Sequence, residues 1–155
     1  MPESDRVGVQ LSPSGNKSDL VVESCVFCRI VKGELPSYKV YEDEKVFAFL
    51  DINPICEGHT LVIPKEHYEN IFEIPDDLLG MVMSAAKRLS VRYKDRMSLD
   101  GVNILSSNGK AAQQDVFHLH VHIIPRKEND GHTISIQNFG KDGKELKTVL
   151  ERLKS

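Results

Sequence analysis

The sequence predicts an α+β domain in which helices pack against an antiparallel sheet. Three observations support this class: apolar runs at 38–41, 46–50 and 60–63, a long segment of helical period after Pro75, and further apolar runs at 102–105 and 118–125. Because the strand-like runs cluster instead of alternating regularly with helices, an antiparallel sheet is favoured over a parallel one.

Residues 1–23 are rich in Ser, Gly, Asn, Pro and charged residues, and they show no apolar period. We interpret them as a flexible N-terminal extension, which leaves residues 24–155 as the domain. That domain begins with a short helix predicted over Cys25–Val31, and Gly33 is its stop signal.

Three strands are predicted next. The segments 38–41 and 46–50 flank an acidic turn and are rich in aromatic and branched residues, which is typical of strands. The run 60–63 is short, apolar throughout and followed by Pro64, which indicates a buried strand.

A long helix is predicted to open at Pro75-Asp76-Asp77, because proline suits the first helical position and acidic residues suit the positive end of the dipole. It should end near Lys94. Its core-facing stripe is predicted from a helical period of apolar residues: Leu79, Val82, Met83, Ala86 and Leu89.

The second half of the chain supplies a strand at 102–105, a polar loop at 106–115 and the histidine-rich strand. From about Gly143 a short helix is predicted, with one apolar face made of Leu146, Val149, Leu150 and Leu153.

The segment His118-Leu119-His120-Val121-His122-Ile123-Ile124-Pro125 holds three of the six histidines at alternate positions. In an extended strand these imidazoles share one face, and the residues between them turn into a core. We expect pairing to end at Pro125 or the strand to lie at a sheet edge, because proline has no N–H to donate. A half-buried strand with a chance histidine face is the alternative. Histidine is not a favoured strand residue, so we interpret the segment as a site.

Composition bounds the function. The 155 residues are 40% hydrophobic and 28% charged with a net charge of -3, which suits a soluble globular domain and disfavours binding to a nucleic-acid backbone. No apolar run approaches the ~20 residues of a membrane span, and the N-terminus lacks the apolar stretch of a signal peptide. A cytoplasmic location is therefore the default expectation.

Two of the three cysteines, Cys25 and Cys28, have the Cys-x-x-Cys spacing that grips a metal ion. A tetrahedral site would need two further ligands. Two reduced, buried cysteines without a metal are the alternative, and Cys56 lies outside the pair.

Several ordered motifs resemble the histidine triad superfamily of nucleotide hydrolases and transferases, in particular its Hint-like branch. They are the segments 25–36, 49–54, 58–65 and the histidine strand, so the resemblance runs from about Cys25 through Arg126. It implies a HIT-like domain with a five-stranded antiparallel sheet, one long helix and short flanking helices. It also implies a homodimer.

The resemblance implies chemistry in which the middle histidine, His120, attacks phosphorus and carries a covalent nucleotidyl group. His122 would contact the phosphate or the leaving oxygen, and His59 would support the site. The implied substrate is a purine nucleotide, with AMP released from a phosphoramidate, an acyl-adenylate or a dinucleoside polyphosphate.

The resemblance also implies nucleotide contacts. Asp51 would accept hydrogen bonds from the ribose hydroxyls, and Ile30, Phe49 and Ile52 would line the base pocket. The loop before the histidine strand would hold the phosphate through Ser107, Asn108, Gln113, Gln114, Asp115 and Val116.

Three residues depart from the family pattern at this loop, and the first is Ser107, which stands where many relatives have Asn. Gln113 stands where the family commonly has Gly, so a positive φ there would cost roughly 1 kcal/mol or more. Asp115 replaces a small hydroxyl residue, and its carboxylate would repel a phosphate unless it points away.

The same resemblance implies a structural zinc site formed by Cys25, Cys28, His67 and His118. Two alternatives to the nucleotidyl-histidine enzyme stay open at this stage. One is a zinc-catalysed phosphoester hydrolase that uses the three histidines, and the other is a non-catalytic nucleotide-binding module.

Overall fold

A computed structural model describes residues 22–134 and 146–154. The strands are β1 (Lys39–Glu42), β2 (Val46–Leu50), β3 (Thr60–Pro64), β4 (Gly101–Leu105) and β5 (Val121–Arg126), and the helices are α1 (Val26–Val31), α2 (Asp76–Met97) and α3 (Leu146–Lys154). Residues 1–21, most of the predicted extension, lie outside the described part of the chain.

The five strands form one sheet in the order β1-β2-β3-β5-β4, and every neighbouring pair is antiparallel. This confirms the predicted α+β class with its five-stranded antiparallel sheet. The apolar runs located β2 and β3 within one residue, because both strands are buried on their two faces and read as continuous apolar segments.

Each face of the sheet has its own apolar cluster. The face towards α2 buries side chains of both the strands and the helix, including Val46, Ala48, Val62, Val121, Ile123, Val82 and Leu89. The opposite face buries Phe47, Phe49, Leu61 and Ile63 together with Phe27 of α1. Because side chains alternate along a strand, one sheet serves two layers, and the second layer holds the candidate site.

The buried stripe of α2 differs in part from the prediction. Val82, Ala86 and Leu89 are buried as expected, but Met83 is 42% exposed and Leu79 is only half-buried. The remaining buried positions are Leu78, Ala85 and Tyr93. Apolar residues are consecutive at 78–79 and 81–83, so a helical period can be drawn through either of two neighbouring sets of positions. Packing against the sheet buries the set that contains Leu78 and not the one that contains Leu79 and Met83.

Helix α2 also runs to Met97 instead of ending near Lys94. Its C-cap is Ser98 in the left-handed conformation, with φ 52°, and the Ser98 N–H donates to the Lys94 carbonyl. Glycine is the usual residue at such a cap, so the sequence carries no stop signal there.

Strand β5 begins at Val121, so the prediction that His118 and His120 belong to the sheet ladder was wrong. The Leu119 N–H donates instead to the carbonyl of Tyr68, in the loop after β3, at 2.7 Å. The alternation of side chains nevertheless persists through this extended segment. Leu119, Val121 and Ile123 are buried in apolar clusters, as the sequence predicts.

Pro125 lies inside β5, which is flanked on both sides by strands and is not an edge strand. Pairing with β3 stops at Ile123, whereas pairing with β4 continues to Arg126. On the side of β5 where pairing with β3 has ended, the Pro125 carbonyl accepts a hydrogen bond from Cys56 Sγ at 3.2 Å. The missing N–H of proline therefore faces a position where no ladder bond is needed.

Helix α3 matches the predicted C-terminal helix from Leu146 onwards, and residues 143–145 lie outside the described range. Its Leu146 and Leu153 are 86% and 80% exposed. Among the described helices, none combines the length and the apolar character that a membrane span needs.

Candidate active site

The candidate site is a cavity of about 330 Å³ on the sheet face that carries α1. Apolar side chains from α1, β2 and β3 form most of its wall. The chemically active groups at its rim are His120, His122, Asp51 and Asp115. The fold therefore brings together residues from four separate motifs of the sequence.

His120 is held in one orientation and one tautomer. Its Nδ1 lies 2.8 Å from the His118 carbonyl oxygen, which can only accept, so Nδ1 carries the proton. The other nitrogen, Nε2, then keeps a lone pair. The ring is 2% exposed and packs edge-on against Phe27, with ring centroids 5.4 Å apart. This is the arrangement that a nucleophilic imidazole requires.

A second imidazole pair is ordered by a backbone amide. The Ile55 N–H donates to His59 Nδ1 at 3.1 Å, so the proton of His59 resides on Nε2. His59 Nε2 lies 2.9 Å from His122 Nδ1, which must therefore accept. The proton of a neutral His122 consequently sits on Nε2 and makes that nitrogen a hydrogen-bond donor. His59 thus joins the site through His122.

Burial keeps this pair neutral. It lowers the pKa of His122 to about 4, with further lowering by the His120 and His59 imidazoles. Burial also lowers the pKa of His59. Near pH 7 both rings are uncharged, so the donor and acceptor pattern set by Ile55 holds in that range.

Asp51 lies at the end of β2, on the cavity rim. One carboxylate oxygen accepts the Asn53 N–H at 2.8 Å, and the other lies 3.7 Å from His59 Nδ1. The side chain is 19% exposed, so lone pairs remain available to a ligand at the rim.

The predicted base-pocket residues Ile30, Phe49 and Ile52 all line the cavity. Phe49 is buried, whereas Ile52 is 77% exposed. The wall also contains side chains that the sequence reasoning did not single out: Val26, Phe27, Leu35, Pro36 and Leu61. Phe27 lies within the Cys25-x-x-Cys28 motif, and this position was the one feature of the sequence that could have placed it near the site.

The loop before β5 is braced by Gln114, which is 5% exposed. Its Nε2 donates to the carbonyls of Glu69 and Val116 at 2.6 and 3.1 Å, and its Oε1 accepts the Gly109 N–H at 2.7 Å. All its polar atoms are therefore used within the protein. In this structure the Gln114 side chain positions the loop, whereas the family resemblance implied a phosphate contact.

Four other residues of this loop were also predicted to hold the phosphate. Gln113 adopts φ 65°, a positive value of the kind that the glycine in the family pattern suggested. For a residue other than glycine this conformation costs roughly 1–2 kcal/mol. Asn108 accepts the Ile71 N–H at 2.8 Å and so ties two loops together. Ser107 is half-buried and does not line the cavity, whereas Val116 does.

Asp115 points towards the nucleophile, not away from it. Its Oδ1 accepts the Val116 N–H at 2.8 Å and lies 3.6 Å from His120 Nε2. The side chain is 83% exposed, so solvent screens its charge strongly.

A second group of side chains could hold a metal ion. Cys25, Cys28, His67 and His118 place their ligand atoms within 4.8 Å of one another. His118 Nδ1 lies 3.5 Å from each sulfur, and the two His Nδ1 atoms are 3.2 Å apart. Tetrahedral zinc requires separations of about 3.6 Å between sulfur and nitrogen and about 3.3 Å between two nitrogens, so the donors fit that ion.

The outer contacts of this cluster also suit a metal. His118 Nε2 donates to the Pro64 carbonyl at 2.9 Å, which leaves Nδ1 as the ligand atom. Burial, followed by the neighbouring Cys25, raises the pKa of the Cys28 thiol to about 12. A bound cation would supply the charge that a thiolate needs there.

The HIT domain model matches residues 32–129. The chain belongs to the HIT family. It is 42% identical over 135 residues to adenosine 5'-monophosphoramidase HNT1 of Saccharomyces cerevisiae, a match that covers 84% of this chain and 83% of the relative. It is 43% identical over 123 residues to adenylylsulfatase HINT3 of Arabidopsis thaliana, covering 76% of this chain and 62% of that protein. Both relatives are named as hydrolases.

A solved structure of the family gives the same picture of the fold. The crystal structure of a zinc-bound histidine triad family protein from Mycobacterium smegmatis superposes with a TM-score of 0.70 at 36% identity. The match covers 86% of this chain and 97% of that one.

Proposed function

We propose that this HIT-family protein is a nucleotide hydrolase that releases a nucleoside monophosphate, AMP by preference, through a nucleotidyl-histidine on His120. The observation that carries the proposal is the free Nε2 of His120 at the cavity, opposite an Nδ1–H that is held by the His118 carbonyl. The names of the relatives support adenylates as substrates, since one is a monophosphoramidase and another an adenylylsulfatase.

The proposed reaction has two displacements at phosphorus. His120 Nε2 donates its lone pair to phosphorus while the bond from phosphorus to the leaving group breaks, and the electron pair departs with that group. A departing amine nitrogen takes up a proton from solvent. Water then attacks phosphorus, loses a proton to solvent, and the Nε2–P bond breaks to restore His120.

The other residues position the substrate. We assign the His122 Nε2–H as a donor to a phosphate oxygen or to the leaving atom, because His59 fixes its direction. Asp51 would accept from the ribose hydroxyls at the rim, and the apolar wall around Phe49 would hold the base. The Val116 N–H, which now donates to the Asp115 carboxylate, would contact a phosphate oxygen. The N–H groups of Gln113 and Gln114 already donate to the carbonyls of Lys110 and Gly109, so they would not take part.

Cys25, Cys28, His67 and His118 would bind zinc, which supplies structural cross-linking to the fold. A closed four-ligand set leaves no open position for a reacting water. His118 belongs to this set, so it is not available to join His120 and His122 around a catalytic ion. The proposal therefore favours histidine as the nucleophile over a catalytic zinc ion held by the three histidines. Thiolate ligands also suit a reducing compartment such as the cytoplasm.

We further propose that two chains pair through β4. This strand is at one end of the sheet order, and its Val102 and Ile104 are 37% and 38% exposed. Val91 of α2 is 53% exposed, and a cavity of about 250 Å³ is lined by both elements. An apolar edge strand of this kind is suited to pairing with a second copy. Sedimentation at the mass of one chain would contradict the dimer.

The nucleophile is tested with His120→Asn, which keeps a similar size and hydrogen-bonding capacity but lacks the attacking nitrogen. Turnover of an adenosine phosphoramidate should fall by about four orders of magnitude or more, while AMP binding persists. The matched variant is His122→Asn, which leaves the nucleophile in place and should lose less activity.

Rapid quenching of the wild-type protein without acid, followed by peptide mass mapping, should find an adenylyl adduct on His120. Near-normal turnover by His120→Asn, or an adduct on another residue, would overturn the mechanism. Tight AMP binding without turnover of any adenylate would instead favour a non-catalytic binding module.

A further inference from the structure

Asp115 occupies a place that a substrate phosphate would need. Its Oδ1 accepts the Val116 N–H at 2.8 Å and approaches the attacking Nε2 of His120 to 3.6 Å. A phosphate at this position would accept the same Val116 N–H with one oxygen and would bring its phosphorus towards the same Nε2. The carboxylate must therefore turn aside when a phosphate enters.

The backbone of Asp115 cannot move far when this happens. Its neighbour Gln114 is buried and joins the carbonyls of Glu69 and Val116 to the N–H of Gly109. The loop is thus fixed on both sides of Asp115. Rotation of the side chain alone keeps the carboxylate within a few ångströms of the phosphorus and of the group bonded to it.

The rest of the cavity contains nothing to neutralise this charge. Among the described residues that line it, the carboxylates are Asp51 and Asp115, and no lysine or arginine is present. His122 is kept neutral by burial. The wall is therefore negative, although the substrates are anionic.

We infer that Asp115 makes the site select the leaving group by charge, with amines favoured over sulfate, phosphate or a second nucleotide. The inference rests on the proposed hydrolysis of adenylates. Repulsion of the phosphate that is attacked is common to all substrates, so it cancels when they are compared. What remains is the interaction of the carboxylate with the leaving group, which is attractive for an ammonium and repulsive for an anion.

The size of the effect follows from the exposure of Asp115. For charges ~5–6 Å apart in a largely aqueous environment, Coulomb's law gives about a three- to fourfold change in rate per unit charge. A cationic and an anionic leaving group differ by two charges. Asp115 should therefore alter the ratio of their kcat/KM values by about 10-fold.

The test compares three substrates: an adenosine phosphoramidate of an alkylamine that carries an ammonium group, its neutral hydroxyl analogue of equal length, and adenylyl sulfate. Each is assayed with wild type, with Asp115→Asn, and with Asp95→Asn as the matched control. Asp95 is exposed on α2 and lines no part of the cavity. Asp115→Asn should lower the cationic-to-anionic ratio of kcat/KM by about 10-fold, and Asp95→Asn should leave it unchanged.

Two outcomes separate this inference from the proposed function. If wild type hydrolyses the substrates and Asp115→Asn changes all three rates by the same factor, Asp115 is only structural and the inference is overturned. If wild type hydrolyses none of them, the proposed function fails, and the inference fails with it. Raising the salt concentration should also shrink the wild-type ratio, and it should shrink the ratio of Asp115→Asn less, because only Asp51 then remains as a carboxylate of the wall.

Discussion

At the scale of single residues, the direction of the hydrogen bonds decides what each histidine can do. The His120 tautomer is set by a carbonyl two residues earlier, whereas that of His122 is set through His59 by the amide of Ile55. An N–H can only donate, so this amide fixes the proton position on both rings. A backbone group thereby determines that His122 carries its proton on Nε2.

The first prediction at this scale removes that amide. Ile55→Pro deletes the N–H, and Ile55→Ala keeps it while truncating a side chain that is 50% exposed. Without the donor, His59 can carry its proton on either nitrogen, so His122 Nε2–H is no longer enforced. Turnover should fall about 2- to 10-fold in Ile55→Pro, in line with a net hydrogen bond of about 1 kcal/mol.

Nitrogen-15 NMR of the histidine rings reads the tautomers directly. His59 should be protonated on Nε2 in wild type and in Ile55→Ala, and should become a mixture in Ile55→Pro. A melting curve checks that the proline variant is folded. Unchanged tautomers and unchanged turnover in the folded proline variant would contradict the role of the amide.

The sequence carried part of this information. Alternate spacing located the three imidazoles, and the motif resemblance added His59 and Asp51. It could not give the tautomers, because they depend on partners such as His122 and His59, which are 63 residues apart. Nor could it show that the Gln114 side-chain amide forms its hydrogen bonds within the protein, or that the Asp115 carboxylate turns towards His120.

At the scale of elements, the best-predicted parts are those whose pattern is set by burial. Strands β2 and β3 are apolar throughout, so their positions could be read from the sequence. The start of β5 and the end of α2 could not. The first depends on a bond from Leu119 to the Tyr68 carbonyl, and the second on a left-handed serine cap, neither of which has a local sequence signal.

The metal cluster is also a feature of elements, because it connects three segments. Cys25 and Cys28 come from the start of α1, His67 follows β3, and His118 precedes β5. Removing the ion or one ligand should loosen α1 from the sheet. Zinc contributes about 10 kcal/mol or more in small peptides and less where a site is preformed, so a loss of about 3–5 kcal/mol is a reasonable expectation here.

The zinc site is testable by metal content and melting temperature. Protein purified without chelator should contain one zinc per chain, and Cys28→Ser should melt about 10 °C or more below wild type. Cys56→Ser is the matched control, since Cys56 lies outside the cluster and should keep both the zinc and the melting temperature. Absence of zinc, with the same melting temperature in strong chelator, would refute the site.

Turnover under chelation separates a structural ion from a catalytic one. Below the melting temperature of the metal-free protein, activity should persist after zinc is removed, because in the proposed mechanism His120 performs the attack. Immediate and complete loss of activity in a protein that is still folded would support zinc catalysis instead.

At the scale of the whole molecule, the sheet has the larger apolar cluster on one face and the candidate site on the other. Its α2 face holds the larger apolar cluster, and its α1 face holds both the cavity and the metal ligands. Every site residue discussed above lies between Cys25 and His122. The candidate site is therefore assembled within residues 24–155, the domain that the sequence predicts.

The last prediction is that residues 1–23 are dispensable for catalysis. Their sequence has no apolar period that could add to the core, and none of the site contacts described here needs them. A chain that starts at Ser24 should hydrolyse adenosine phosphoramidate within a few-fold of the full-length rate, and sedimentation should give the same number of chains per particle. Cys25 keeps one preceding residue in this variant, so zinc content serves as a control for the integrity of α1. A loss near 100-fold with full zinc content would equal about 2.7 kcal/mol of transition-state stabilisation, and it would mean that the extension contributes to the site.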